Sequence, residues 1–271
     1  ISLSNPSDDR LRKAKSGQWW IDTGYRAIAN NSAAYTERPD FDVFLTEWLA
    51  LHESKSGERG IYNRVAAQAK ATAIGRESAE FGVNPCAEIS LRAMQFCNLT
   101  EVVVRADDTR ETLREKVRHA TILGTLQSDL TDIKYLRKKW TDNCEDERLL
   151  GVSLTGITDH PLLGNPNDPS LPDLLRELRT VARETNAEWA HKLGIKPSVA
   201  VTTVKPSGTV SQLVNSSSGI HPRFSAYYIR RVRANNKDPL AVLMQAQGFP
   251  CEADVANANN LVFAFPVAAP D

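Results

Sequence analysis

Short runs of β-branched and aromatic residues alternate along this chain with longer stretches of helical periodicity, and that alternation limits the folds open to it. The runs are EVVV (101–104), LLGVSL (149–154), VAVTTV (199–204), AYYIRRV (226–232) and LVFAF (261–265). Between Asp40 and His52, Phe41, Phe44, Leu45, Trp48 and Leu49 recur at i, i+3, i+4, i+7 and i+8, the stripe of an amphipathic helix that ends before SKSGERGIYN. A second helix is predicted to start near Asp108, capped by its side chain with Glu111 three residues on, and to run through Leu113 and Val117. A third starts at Ser170, runs through Leu174, Leu178, Ala182 and Trp189, and stops at Gly194; a fourth follows Asp238-Pro239 and ends at Gly248. Strands alternating with helices predict an α/β fold, with βα units around a largely parallel sheet or barrel. With 41% apolar residues in 271, a substantial core can be buried. No repeat, low-complexity tract or long Pro/Gly linker divides the chain, so residues 1–271 are read as one domain or part of one.

Lys plus Arg and Asp plus Glu balance at 33 each, which gives no global electrostatic reason to expect nucleic acid or an anionic membrane as partner. An anionic ligand would have to be held by a local site. Four irregularly spaced cysteines do not make a secreted disulfide framework, and no apolar stretch approaches the length of a spanning helix or signal peptide. A reducing cytoplasm is the expected compartment. The chain begins at Ile1 and stops in FPVAAPD just after a strand-like run, as an internal piece of a longer protein would.

The densest chemistry lies in NPCAEISLRAMQFCNL, residues 84–99, where Asn84, Cys86 and Glu88 are spaced by two and Cys97 follows Cys86 by eleven. In an extended segment the first three side chains would point to one side within about 13 Å. Pro85 biases Asn84 towards an extended backbone and removes a ladder donor, as suits a loop or strand end. A thiol and a carboxylate would then face one substrate together. Taken alone, a structural cysteine beside a solvated glutamate is the commoner arrangement. No CxxC or clustered histidine accompanies the pair, so no metal site is predicted.

A second candidate is VAVTTVKPSGTVSQLV, a β-like run leading into Pro-Ser-Gly-Thr. Gly208 would let backbone approach an anion closely, and Ser207, Thr209 and Ser211 would add hydroxyl donors. Lys205 could add charge. By itself such a loop is more often a plain turn, and it is neither a Walker A nor a GxGxxG loop. YYIRRVR alternates as a strand, and with no charge excess its arginines are read as solvated rather than as a nucleic-acid surface. RAIANNSAAY is read as a strand and turn, its tandem asparagines suiting a tight turn.

NPCAEISL followed by CNL resembles the active-site segment of ribonucleotide reductases, and the close cysteine spacing is most similar to that of the monomeric adenosylcobalamin-dependent group. The resemblance continues in order through SGERGIYN, RLLGVSLTGITD, KPSGTVSQL, GIHPRFSAYYIRR and NLVFAFPVAAP. It implies part of a ten-stranded α/β barrel with the cysteine on a central finger loop. It further implies reduction of ribonucleoside tri- or diphosphates to 2′-deoxyribonucleotides with adenosylcobalamin as cofactor and a thioredoxin-like reductant. Cys86 would become a transient thiyl radical, Glu88 would take the 3′-hydroxyl proton, Asn84 would bond the sugar hydroxyls, and Cys97 would be one of two reducing thiols. Ser207, Gly208, Thr209, Val210 and Ser211 match the loop that cradles the substrate phosphates. The family's second reducing thiol lies upstream and its shuttling pair at the extreme C-terminus; this chain has no cysteine before Cys86. Cys144 and Cys251 match no role. The rival readings are a reductase whose radical comes from a separate metal subunit, and a catalytically silent nucleotide-binding module.

Overall fold

The computed structural model describes residues 2–55 and 59–269. Ser56–Glu58 of SGERGIYN and Pro270 of NLVFAFPVAAP lie outside the described residues. In chain order the strands are β1 (Ser2–Ser4), β2 (Asn31–Tyr35), β3 (Gly60–Asn63), β4 (Gly82–Val83), β5 (Ser90–Leu91), β6 (Asn98–Val103), β7 (Leu150–Thr155), β8 (Tyr227–Asn235), β9 (Cys251–Ala253) and β10 (Asn260–Ala268). The helices are α1 (Asp9–Arg12), α2 (Trp19–Asp22), α3 (Phe41–Ser54), α4 (Arg64–Ala73), α5 (Arg110–Ser128), α6 (Lys138–Glu147), α7 (Leu171–Leu193), α8 (Thr209–Leu213) and α9 (Pro239–Ala246).

The core is built on β6 and β7, which pair in parallel from Asn98↔Leu150 to Val103↔Thr155. Segment 200–203 joins the far edge of β7: Leu150 N donates to Ala200 O at 3.0 Å, Val152 N to Val201 O at 2.9 Å and Thr203 N to Val152 O at 3.0 Å. Helices α5 and α7 cover this layer, and Val102, Val104, Leu113, Val117, Leu150, Val152, Leu174, Leu178 and Val201 form one buried cluster. The predicted βα alternation is realised here, since each parallel return needs a crossover. Helix α7 follows Ser170 and is ended by Gly194 at φ +70°, a left-handed position that glycine takes without strain. Helix α9 is capped by Asp238, which accepts from Leu240 N.

Three expectations are corrected. The cap of α5 is Thr109, which exchanges side-chain and main-chain bonds with Thr112; Asp108 instead accepts from Arg105 N and Thr112 Oγ1. The sheet is not largely parallel throughout: β8, β10 and β9 form an antiparallel set in that order, with Ala268↔Tyr227 and Asn260↔Asn235 at the ends of the β8–β10 register. Pro266 is tolerated in the middle strand because β9 reaches only Leu261–Phe263, leaving that stretch an edge. The apolar stripe of α3 does not face the core. Phe41, Phe44, Leu45, Trp48 and Leu49 are 37–77% exposed, whereas Glu47 is fully buried. The helix is docked by its charged face, with Glu47 bound by Arg59 through two 2.7 Å hydrogen bonds and by Arg12 at 3.2 Å.

A second buried pair ties α4 to α6. Arg76 meets Glu147 through Nε–Oε1 at 3.0 Å and Nη2–Oε2 at 2.8 Å, its Nη1 donates to Ser90 O in β5 at 2.9 Å, and its plane lies over Phe81. Gln95 Nε2 adds a bond to Glu147 Oε2. Burial pushes the Glu147 carboxyl up, but Arg76 and Gln95 outweigh it and hold it below the usual range. Its stabilisation is therefore present above the ordinary glutamate pKa and lost as pH falls through the depressed one. Removing Glu147 leaves the Arg76 guanidinium buried without its carboxylate, so Glu147→Leu should cost about 3–5 kcal/mol in urea unfolding at pH 7. A loss within experimental error of zero would show the pair to be inert.

Candidate active site

The hairpin β4–β5, paired only at Gly82↔Leu91 and Val83↔Ser90, carries the Asn84–Ile89 loop. The loop closes on itself: Ile89 N donates to Asn84 Oδ1 at 3.0 Å, Asn84 N to Ile89 O at 3.3 Å and Ala87 N to Asn84 O at 2.9 Å. Ala87 takes φ +64°. The segment is thus a tight loop, one of the two settings that Pro85 suits, and turn closure rather than an extended backbone gathers the side chains. Asn84 uses its amide oxygen to close the loop, and its side chain also reaches the Glu88 carboxyl. Asn30, the first of the tandem asparagines, donates from Nδ2 to Pro85 O at 2.6 Å, while Asn31 starts β2 instead of making a turn.

Cys86 is exposed at the loop tip, and Glu88 is turned inward with its side chain 4% exposed. Between them stands Lys205, whose Nζ is 2.9 Å from Glu88 Oε1 and 3.7 Å from Cys86 Sγ. Burial raises the affinity of Glu88 for a proton, yet the bond from Lys205 and, more weakly, the amides of the loop hold its carboxyl below the usual range. The same pair works in reverse on Lys205, where burial opposes the charge and Glu88 more than restores it. Thr203 Oγ1 donates to Glu88 O at 3.0 Å, so the two segments are joined by main chain as well as by charge.

Cys97 precedes β6 and is a partly buried, unpaired thiol. Burial, and then the negative charge of Glu88, push it up to about 12 against a smaller pull from Arg76. It therefore stays a neutral S–H at ordinary pH. Cys144 accepts from Phe96 N at 3.4 Å, and Cys251 lies on β9, so neither joins the Cys86 loop by any described bond.

The 206–211 loop is braced from below. Thr155 Oγ1 donates to Ser207 Oγ at 2.8 Å, and Ser207 Oγ donates to Glu101 Oε2 at 3.0 Å. Ser211 is fully buried and donates to Gly208 O at 2.7 Å. The predicted donors Ser207 and Ser211 are thus engaged inside the protein, which leaves Gly208, Thr209 and Val210 as the exposed part of the loop. Gly208 has φ +52° and ψ −122°, and a Cβ there would meet nothing within 4 Å, so the surface at this point is open. At Gly219 space is decisive: a Cβ would lie 1.9 Å from Lys205 O, so only glycine lets the returning chain pass. Asn30, Glu101 and Gly219 were not foreseen from the sequence; each acts on a residue far away in the chain.

Among the described residues no cluster of three or more His, Cys, Asp or Glu side chains could hold a metal ion, and no helix is long and apolar enough to cross a membrane.

Over nearly its whole length the chain is similar in sequence and in fold to ribonucleotide reductases. Within that class its relatives are adenosylcobalamin-dependent ribonucleoside-triphosphate reductases. The one from Lacticaseibacillus paracasei is 31% identical over 99% of this chain and 39% of its own length, and that from Levilactobacillus brevis 28% identical over 90% and 36%. A solved B-12-dependent class II ribonucleotide reductase superposes with a TM-score of 0.72 at 27% identity, covering 98% of this chain and 40% of that one. The Actinobacillus ureae class Id alpha subunit, at 16% identity and a TM-score of 0.55 over 81% of this chain and 47% of that one, shares the fold. No family model matches. The chain thus spans less than half the length of these relatives.

The burial and charge around Cys97 predict its reactivity. At pH 8 a thiol titrating near 12 is only about one part in 10⁴ thiolate, so Cys97 should resist iodoacetamide while exposed Cys86 is modified. Peptide mass mapping over time checks this, and equal rates at the two cysteines would contradict it.

Proposed function

We propose that residues 1–271 are part of the catalytic domain of a ribonucleotide reductase, a ten-stranded α/β barrel in which the Asn84–Ile89 loop is the central finger. In this reading the protein reduces ribonucleoside triphosphates to 2′-deoxyribonucleotides for DNA synthesis. The observation that carries it is the bridging of Cys86 and Glu88 by Lys205 on a loop whose thiol is exposed and whose carboxylate is not. Similarity to triphosphate reductases over nearly the whole chain favours triphosphates over diphosphates.

Direct displacement of a 2′-hydroxyl from an unactivated secondary carbon is unfavourable, whereas a radical at the adjacent 3′ carbon labilises it. Cys86, as a thiyl radical, takes the 3′ hydrogen atom. Glu88 accepts the 3′-hydroxyl proton as the 2′-hydroxyl leaves as water, and the Asn84 NH2 group bonds the sugar hydroxyls. Cys97, held as a neutral S–H, is suited to give hydrogen to the 2′ position. With a second thiol outside the assigned residues it supplies two electrons and two protons and ends as a disulfide, while Cys86 returns its hydrogen to the 3′ carbon. A thioredoxin-like dithiol then restores the pair. Exposure of Cys86 at the loop tip fits activation from outside the loop, with Pro85–Ala87 the residues that would face the cofactor. Adenosylcobalamin, when bound, supplies the organic radical that makes Cys86 reactive. The substrate phosphates would lie over Gly208, Thr209 and Val210, with Ser207 and Ser211 fixing the loop from beneath. Four unpaired thiols among the described residues accord with a reducing cytoplasm.

In the full-length protein, Cys86→Ser should abolish reduction while nucleotide still binds, and Glu88→Gln should slow it by about 10² to 10⁴. Substantial turnover by the serine variant would sink the thiyl assignment. A requirement for a second, metal-bearing protein in place of adenosylcobalamin would replace the cofactor reading. Gly208→Val puts a branched side chain where the phosphates are placed and strains a positive-φ position. The nucleotide dissociation constant should rise at least roughly tenfold, with the nucleoside affected far less. Titration calorimetry of both ligands decides it: equal losses would make Gly208 a folding residue.

A further inference from the structure

Lys205 immediately precedes the proposed phosphate loop, yet its ammonium is engaged by the Cys86 loop. It is held there from both ends. Its carbonyl abuts Gly219, and its neighbour Thr203 bonds the main chain of Glu88. Glu88 Oε1 is taken by Nζ, while Oε2 is buried with no partner of good hydrogen-bond geometry among the described residues, although the Asn84 side chain and the Glu88 N–H lie near the carboxyl and pull on it more weakly than Lys205. A buried carboxylate oxygen without a donor is costly, so Oε2 is an acceptor awaiting one.

We propose that Lys205 is a positioning residue for proton transfer at this site: by holding Oε1 it fixes the carboxylate and leaves Oε2 to receive the proton of a substrate hydroxyl. The inference rests on the acid–base role assigned to Glu88 above. The transfer balances simply, the hydroxyl oxygen keeping its electron pair while the proton moves to Oε2. The titratable and charged groups facing Glu88 are Lys205, Cys86 on the same loop and Cys97 before β6. Lys205 is the cation among them, and its bond is the largest of the pulls that outweigh burial and hold the Glu88 carboxyl below its usual range. A lysine serving the phosphates would behave differently. It would govern affinity for the triphosphate and leave the Glu88 titration unmoved.

The test combines a titration with a binding measurement. Glutamate labelled with ¹³C at the side-chain carboxyl is followed by NMR against pH in full-length protein without nucleotide, the Glu88 signal being assigned by its loss in Glu88→Gln. Because the wild-type carboxyl is held low, removing the cation should move its midpoint to higher pH. In Lys205→Met the proton affinity should rise about tenfold or more, the effect of an opposite charge at this range. Lys205→Arg should restore most of the shift, and the acid limb of the rate profile should move in the same direction. An unmoved midpoint in Lys205→Met overturns the proposal, as does a shift that arginine leaves uncorrected. Loss of triphosphate binding with nucleoside binding and the titration intact would make Lys205 a phosphate ligand instead. Undiminished reduction by Glu88→Gln would defeat the acid–base reading itself, and since that variant contains no Glu88 to titrate, the two failures are separable.

Discussion

The buried ion pair between Arg76 and Glu147 is the joint on which the site depends. A hairpin paired at Gly82↔Leu91 and Val83↔Ser90 alone has too little ladder and too little apolar face to hold its own shape. Arg76 supplies what it lacks, reaching from the end of α4 to Glu147 at the end of α6 while donating to the β5 carbonyl of Ser90. Gln95 and Asn143 extend the tie, the latter donating to Ala93 O at 2.8 Å, so the stretch between Glu88 and Cys97 is clamped against α6. The loop tip bearing Cys86 is thereby exposed on a rigid base, and a reactive group gains reach without losing position.

Above that base, Glu88 is the charge to which the other groups answer. Lys205 helps hold its carboxyl below the usual range; its negative charge in turn helps keep the Cys97 thiol protonated. One carboxylate, itself held low, thus favours a neutral thiol at its neighbour. The arrangement needs low exposure, because solvent would screen both effects. The 4% exposure of the Glu88 side chain meets that need, and the exposed Cys86 lies outside it.

Much of this was legible in the sequence where the signal is local. The βα alternation marked the core layer, Gly194 marked the end of α7, and Asn84, Cys86, Glu88 and Cys97 stand on adjoining segments as a short motif must. Periodicity misled at α3, because a stripe of Phe41, Phe44, Leu45, Trp48 and Leu49 reports which face is apolar and not which face this chain buries; the face that docks is centred on Glu47 and its arginines. At Asn84–Glu88 the extended alternative is not the one taken, because a side-chain cap from Asn84 and a left-handed Ala87 close the segment into a turn. Lys205 was read with its neighbours in sequence, and the hydroxyls of Ser207 and Ser211 as ligand donors. Their partners lie on distant strands and loops, and no local pattern encodes a contact between residues 88 and 205.

That long-range contact joins the two halves of the site into one mechanical unit. Ser207 is locked by Thr155 and Glu101, two strand residues on β7 and β6, and Ser218 bonds the carbonyl of Pro206 from the returning chain. Gly219 then passes against the Lys205 carbonyl with no room for a side chain between the two segments. The exposed Gly208–Val210 surface and the ammonium on Glu88 are therefore fixed to the same braced stretch of backbone. In the proposed reading, phosphates seated on the first would set where the sugar lies relative to the second. Placement of this kind lets binding energy from a remote, unreacting part of a substrate be spent on alignment at the reacting carbon. If Gly208–Val210 hold the phosphates as proposed, two residues of separation from Lys205 would convert their seating into registration of a hydroxyl against Oε2.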